Sequence, residues 1–343
     1  MEQLLQHIKD YVRFMALAFL TLGIGACDSI PDNESSKEEV CDVQFTYKYN
    51  MEGVDAFHEQ VSAVTLYIFD ADSTVVHQWS ESGEALADPD YRMHLPFDLT
   101  NHHLIAWAHT EGCNTTQIVQ LNAGSHMKDL TCRIGGRTVK PDGSTEVCEI
   151  GPVFHGKVDN PVVVKSNSGV PTITMPMTKN TNTLVVNLSN TSTNPLRADN
   201  FNFTVIDDNG LMAYDNTLLP DTELTYVPHT KCEESVVLTS VESRATKLQN
   251  VVTAEFTLGR LMANNNPRLT VTNRTTGKVV FSIPFVDYLK LMMSQHAIGN
   301  MSDQEYLDHE DSYNFTFFLD EDGNWLDASI LINGWRVVLD IDL

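Results

Sequence analysis

From residue 41 onward, apolar residues come in short runs separated by polar turns, and this pattern constrains the fold more than any other feature. Val43, Phe45, Tyr47 and Tyr49 alternate with polar neighbours, so they share one face of a strand. Residues 64–69, Val-Thr-Leu-Tyr-Ile-Phe, are apolar on both faces, as in a strand covered on two sides. Residues 91–95, 104–108, 117–121 and 153–158 read as further strands. Residues 133–151 are rich in glycine and charge and read as a long loop. A Ser-, Gly- and Pro-rich stretch at residues 166–176 precedes a second strand series, which runs to the end of the chain. Within it, Asn209-Gly210 predicts a type I′ hairpin, because both residues tolerate positive φ. One helix stands out. Phe285, Leu289, Met292, Met293 and His296 fall at spacings of three and four, behind Pro284. The chain therefore reads as all-β: two tandem β-sandwich domains, 41–170 and 171–343, with one short helix in the second.

The first 40 residues do not share this pattern. Lys9 and Arg13 precede an apolar run over residues 15–26, which is too short to span a bilayer comfortably at ~20 residues per crossing. It fits a secretory signal. Ile24-Gly25-Ala26-Cys27 matches a bacterial lipobox, in which small residues admit the signal peptidase. Residues 1–26 are then a lipoprotein signal peptide, and Cys27 carries the lipid. Diacylglycerol goes on the thiol and a further acyl chain on the freed amine. Two or more chains give stable anchoring, at roughly 0.8 kcal/mol per buried CH₂. Residues 27–40 hold mostly polar and acidic residues and read as a solvated tether.

Charge narrows the partners. The chain holds 46 acidic and 22 basic residues, for a net charge of −24. The signal carries Glu2 and Asp10 against Lys9 and Arg13, so its removal leaves that balance unchanged. Such a charge argues against nucleic acid and against a polybasic membrane contact. In an exported chain Cys41, Cys113, Cys132 and Cys148 are candidates for disulfides, with Cys232 further on. The count after Cys27 is odd, and the connectivity stays open.

The sequence contains no Gly-x-Ser-x-Gly elbow, His-Glu-x-x-His pair, P-loop or CxxC. No cofactor or metal is implied. His102, His103 and His109 form the densest histidine group, and strand-end histidines are the simpler reading. Asp320, Asp322 and Asn324 have a calcium-loop flavour, but the glycine is misplaced and position twelve is Leu331, so a hairpin turn fits better. The acidic pairs Asp207-Asp208 and Glu233-Glu234 lie in turn-like segments. Trp107 reads as core. Trp79 and Trp325 lie nearer turns and are the candidates for stacking on a sugar.

Several segments together resemble one family. They are Cys41-Asp-Val-Gln-Phe45, residues 63–70, Leu104-Ile-Ala-Trp-Ala108, Leu121-Asn-Ala-Gly124, residues 182–188 and Ile332-Asn-Gly-Trp-Arg-Val-Val338. Their order and spacing behind a lipobox are similar to the fimbrillin-associated anchor lipoproteins of the Bacteroidales, the FimB type of type V pili. The resemblance implies two transthyretin-like sandwiches and a place at the fimbrial base in the outer membrane. It also implies attachment of the filament, a limit on its length, and stalk or accessory subunits joined by β-strand addition. Stalk subunits of such pili are trimmed by an Arg-directed protease. Arg133 and Arg137 lie in the expected loop, where a cut would separate Cys27 from the second domain. The chain ends directly after an apolar strand, so no long donor extension is expected, and residues 335–343 either complete their own sheet or are lent to a neighbour. A tip or accessory subunit and a surface glycan-binding lipoprotein are the alternatives.

Overall fold

The computed structural model describes residues 41–110, 115–165, 169–190, 195–239, 246–296 and 301–338. The signal peptide, the tether, Cys27 and Cys113 lie outside the described residues.

The first sandwich packs two sheets. One has the order β11-β12-β1-β4, from β11 (Val164–Lys165), β12 (Pro171–Pro176), β1 (Cys41–Thr46) and β4 (Met93–Leu95). The other has the order β13-β10-β5-β2-β3, from β13 (Thr178–Lys179), β10 (Val153–Asp159), β5 (His103–His109), β2 (Ala63–Phe69) and β3 (Val75–Ser82). Val43 and Phe45 of β1 point into the core, where they meet Val64, Leu66 and Ile68 of β2 and Phe154 of β10. Val43 and Phe45 share the inward face as the sequence predicts, but β1 ends at Thr46, ahead of Tyr47 and Tyr49, and Asp42 and Thr46 on its other face are buried as well. Where Met175 and Met177 cross β10, the backbones approach so closely that a Cβ on Gly156 would sit 2.8 Å from the Pro176 carbonyl oxygen. Only glycine fits that crossing.

Strand β2 is apolar on both faces because both faces are covered. Tyr67 and Phe69 join Ile105 and Trp107 on the outer side of the sheet. They are capped by Met127, Leu130, Cys132 and Met212. Cys132 and Met212 come from a small third sheet, β16-β7-β6, built from β16 (Leu211–Ala213), β7 (Thr131–Ile134) and β6 (Thr116–Ile118).

The second sandwich is larger. One sheet has the order β18-β19-β14-β22-β23-β24. Its strands are β18 (Thr230–Thr239), β19 (Thr246–Gly259), β14 (Thr181–Asn190), β22 (Ser312–Leu319), β23 (Trp325–Ile332) and β24 (Trp335–Val338). The facing sheet has the order β21-β20-β15-β17-β9-β8. Its strands are β21 (Val279–Pro284), β20 (Arg268–Asn273), β15 (Phe201–Asp207), β17 (Leu224–Tyr226), β9 (Thr145–Val147) and β8 (Arg137–Val139). Leu184, Val186 and Leu188 of β14 pack against Phe203, Val205, Leu269 and Phe281.

The expected helix forms over Phe285–His296 (α2), with α1 (Phe57–Gln60) ahead of it in the chain. It buries Phe285, Val286, Leu289 and Met292 in the same core. A further helix, α3 (Asp303–His309), was not expected from sequence. Ser302 accepts from the Glu305 backbone N–H while Glu305 reaches back to the Ser302 N–H, a capping box. Ser-x-x-Glu at 302–305 is the sequence signal for it.

Three expectations fail here, for one physical reason. Residues 133–151 are not a long loop: they contain the second half of β7 and all of β8 and β9, and β7 and β9 each pair with a strand from the second half of the chain. Asn209-Gly210 does not close a type I′ hairpin, because neither residue takes positive φ and β16 leaves β15 to pair with β7. A single cut at 170/171 also does not follow the pairing. β12 lies beyond that cut yet pairs with β1 in the first sandwich, while β9, ahead of it, pairs with β17 in the second. Long-range pairing decides these segments, and local composition does not report it.

Of the candidate disulfide cysteines, Cys113 lies outside the described residues. Cys41, Cys132 and Cys148 are free thiols, as is Cys232. Cys41 belongs to the first core and Cys132 to the cluster beneath the third sheet, while Cys148 is exposed. Burial pushes the Cys132 thiol up to about 12, so it behaves as a small apolar side chain.

Asp207, at the end of β15, is a buried carboxyl. Its Oδ1 accepts from the Asp208 N–H at 2.9 Å and from Asn265 Nδ2 at 2.7 Å. Its Oδ2 has no partner among the described residues. Burial first, then the Asp208 charge, pushes the group up to about 7. The folded chain thus holds a proton that the unfolded chain releases near pH 4. Stability is greatest below that and falls as pH rises towards 7, by an amount on the order of a few kcal/mol. Asp207→Asn should flatten this dependence, with a smaller drop in melting temperature between pH 4 and pH 8 than the parent shows. Equal drops in the two proteins would show that Asp207 does not titrate in this range.

Candidate functional site: a free sheet edge and a clamped junction

A strand at the end of a sheet presents unpaired N–H and C=O groups. Proteins blunt such edges by keeping them short or placing lysine or proline on them. β11 and β13 have two residues each, and β4, β6, β8 and β16 have three. β18 carries Lys231, Glu233 and Glu234, and β21 ends on Pro284 as it enters α2. β3 is neither short nor marked by lysine or proline, although a β-bulge at Val76 interrupts its pairing with β2. It runs for eight residues, contains no lysine or proline, and has Glu81 as its one formally charged residue.

The chain begins to cover this edge and then leaves it. Thr74 bridges to His126, and the Val75 N–H donates to the Ser125 carbonyl at 2.9 Å. Residues 127–129 then close a 3₁₀ turn, and no described strand pairs with residues 76–82 on their free side. Val76 is 42% exposed and Trp79 39% exposed. Trp79 stands opposite Leu66 of β2, and His77, opposite Ile68, stacks on Phe97 with centroids 4.3 Å apart. The edge thus combines unpaired backbone with an aromatic and apolar ledge. That arrangement can take up an extended peptide as a further strand, with backbone bonds supplying affinity and side chains fixing register.

The second feature is the junction between the sandwiches. Arg133 and Arg137 stand in β7 and β8 and converge on Asp221. Arg133 Nη1 donates to Oδ1 at 2.9 Å, and Arg137 Nη2 donates to Oδ2 at 2.7 Å. Arg137 also donates to the Ile134 and Gly210 carbonyls. A Cβ on Gly210 would press on that guanidinium and displace it, so the glycine here makes room for Arg137 and does not serve a turn. Burial raises the Asp221 carboxyl, but the Arg137 hydrogen bond and both arginine charges outweigh it and hold the group below its ordinary value. Further bonds tie the halves together. Asn180 and Asn216 exchange amide bonds at 2.6 and 3.1 Å, and His155 Nε2 donates to the Tyr214 carbonyl at 2.9 Å. Within the second sandwich, Arg260 grips Asp308 with two bonds, at 2.8 and 2.6 Å.

The other sequence candidates do not converge on a site. His103 pairs with Asp159 at one end of β5, while His109 bonds the Thr110 carbonyl at the other. His102 bonds the Thr100 carbonyl. Asp320 accepts from the Asp322 and Asn324 N–H groups and closes the β22–β23 turn. Glu233 holds Arg197 and the Ala198 N–H, away from Asp207. Trp325 packs against Phe281 and Phe317, with its indole nitrogen buried, so of the two stacking candidates Trp79 alone is exposed. The free edge of β3 was missed from sequence, since which strand ends a sheet depends on pairing. The signal available was the absence of charge and proline over residues 75–80.

The comparisons agree with this architecture. The chain is similar over most of its length to a putative adhesin from Bacteroides thetaiotaomicron, with 28% identity and a TM-score of 0.75, covering 88% of this chain and 97% of the other. Putative polysaccharide binding proteins from the same organism give 27% identity and a TM-score of 0.70 over 88% and 98% of the two chains. The fimbrial anchor protein Mfa2 from Porphyromonas gingivalis shares the fold, with 15% identity and a TM-score of 0.60 over 87% and 98%. No curated protein matches the sequence. The family model described as "Fimbrillin-A associated anchor proteins Mfa1 and Mfa2" matches residues 35–340. The chain belongs to this family of fimbrillin-A associated anchor proteins, as a fimbrial protein built of transthyretin-like β-sandwiches.

Proposed function

We propose that this chain is a lipid-anchored fimbrial subunit that attaches a fimbria to the outer membrane and limits its length. Family membership over residues 35–340 is the observation that carries the reading. Ile24-Gly25-Ala26-Cys27, just ahead of that span, supplies the attachment chemistry. Among the described residues no helix is long and apolar enough to cross a membrane. The reading places attachment on acyl chains at Cys27, and Cys27→Ala should move the protein, with any filament it holds, from the membrane to the soluble fraction. Retention of that variant in the membrane pellet would sink lipid anchoring.

An anchor must keep the segment that carries its lipid. Arg133 and Arg137 lie in paired strands, and Arg137 is 14% exposed, so neither offers the open loop a protease needs. Digestion with trypsin followed by mass mapping checks this. Cleavage after either residue should be slow in the native chain and at least about tenfold faster in Asp221→Ala, which opens the clamp. Rapid cutting of the parent at either arginine would favour a trimmed stalk or accessory subunit.

For the joint to a neighbouring subunit, the edge of β3 is the best-suited backbone. Lysines on an edge strand oppose pairing. Val76→Lys with Trp79→Lys should lower the fraction of the protein found with filaments several-fold, with little change in melting temperature because both side chains are partly exposed. Wild-type association of this double variant would remove β3 from the joint. Glycan binding, the second reading, has exposed Trp79 and the likeness to putative polysaccharide binding proteins in its favour. One exposed tryptophan among the residues whose burial is described makes a poor platform, and the fimbrial reading is preferred.

A further inference from the structure

The residues of β3 select the strand that fits its free edge. Residues 76–80 are all exposed, and the regular ladder with β2 runs from His77 to Ser82, past the bulge at Val76. His77, Trp79 and Glu81 stand opposite Ile68, Leu66 and Val64, so they share one face of the edge. Gln78 and Ser80 share the other. Along the first face the order is a base, an aromatic ring and an acid, spaced evenly about Trp79. His77 is the one base of the strand and Glu81 the one acid. Both are already positioned: the His77 ring stacks on Phe97, and the Tyr91 hydroxyl hydrogen-bonds the Glu81 carboxylate.

Such a strand is complementary to itself run backwards. In an antiparallel pair, residues directly opposite lie on the same face, with Cβ atoms about 4.5–5.5 Å apart. With a two-fold axis through Trp79, His77 of each copy faces Glu81 of the other. The two indoles then meet at the axis, and Gln78 faces Ser80. Other registers fit worse. An axis through Glu81 sets two carboxylates face to face, which is destabilising. An axis through His77 runs the partner strand onto Thr74 and Val75, whose free side is taken by Ser125 and His126. Axes through Gln78 or Ser80 leave Glu81 without His77 opposite it.

We propose that the strand taken up by β3 is β3 of a second copy of this chain, antiparallel and centred on Trp79. The inference rests on reading β3 as a joint and names its occupant. A joint between like edges is isologous, so it consumes the edge on both copies and closes instead of propagating. It also lets two lipid-bearing chains share the load of one filament. The paired segment is short, so the contact is weak between free chains. Confinement to one membrane surface raises the effective concentration and favours it.

The test uses the full lipidated chain, oxidised in the membranes of the cells that make it and run on non-reducing gels. The parent, with its own thiols, sets the background. Trp79→Cys should give a dimer whose disulfide maps to the two substituted positions, because they meet at the axis. Glu81→Cys should give none above background, because that position stands opposite position 77 and not opposite itself. In the Trp79→Cys background, His77→Glu or Glu81→Lys alone should lower trapping about tenfold, since each destroys both charge pairs. Mixing the two variants under different tags should restore a mixed dimer, because the new glutamate then faces the new lysine. Melting curves establish that each variant is folded. No dimer through Trp79→Cys, equal trapping through Glu81→Cys, or no rescue on mixing would overturn the second copy. In that event, a continued loss of filament association in Val76→Lys with Trp79→Lys would leave β3 as a joint for a different subunit. Wild-type association of that variant would remove the joint as well.

Discussion

Thr145, Glu146 and Val147 pair in parallel with Leu224, Thr225 and Tyr226, and much of the structure depends on that contact. It lets a hairpin from the first half of the chain complete a sheet of the second. β7 and β16 make a second exchange alongside it. The Arg137 guanidinium sits between the two, bonded to Ile134, Gly210 and Asp221. The sandwiches are therefore not joined like beads on a linker. A force on the second reaches the first through backbone ladders and a part-buried ion pair, where removal of one partner is the costly event. For a fimbrial protein this is the useful property, because load from a filament must cross the junction without opening it.

The same contact marks where the sequence stops being readable. Val43, Phe45 and Tyr47 announce β1 because a half-buried strand writes its pleat into its own residues. Residues 64–69 announce cover on both faces, although nothing local says that Met127, Cys132 and Met212 provide it. The apolar stripe of α2 is legible for the same reason as β1. α3 was legible too, through Ser302 and Glu305, but its seven residues contain too little periodicity to stand out beside the strands around them. The hairpin of β8 and β9 was not legible. Its glycines and charges describe a loop until the partner strand is known, and pairing across some eighty residues leaves no local trace. Asn209-Gly210 shows the converse: a strong turn signal whose glycine serves the passage of Arg137.

Function was legible to a similar depth. The order of segments pointed to the family, but no single residue of the interaction surfaces did. Trp79 looked like a sugar platform or a turn residue, and its position on a free edge came only with the strand order. Trp325 looked equivalent and is packed against Phe281 and Phe317. Tyr47 read simply as the third member of an alternating strand. It is buried, at the wall of a cleft whose other side comes from residues 309–311, far along the chain. In each case the side chain's chemistry was visible and its environment was not.

A filament built by strand pairing needs every member to offer one joint and fill another, so growth stops at a member that cannot do both. In a stalk subunit, trimming frees a place by removing a strand. Here the candidate strand, β1, is held on both sides, by β12 and by β4. The chain between β1 and Arg133 runs through β2, β5 and β7, whose pairing holds it in the first sandwich and the third sheet. Even a cut after Arg133 or Arg137 would leave β1 docked in its sheet. On the proposed reading, anchoring and length limitation are two consequences of one topology.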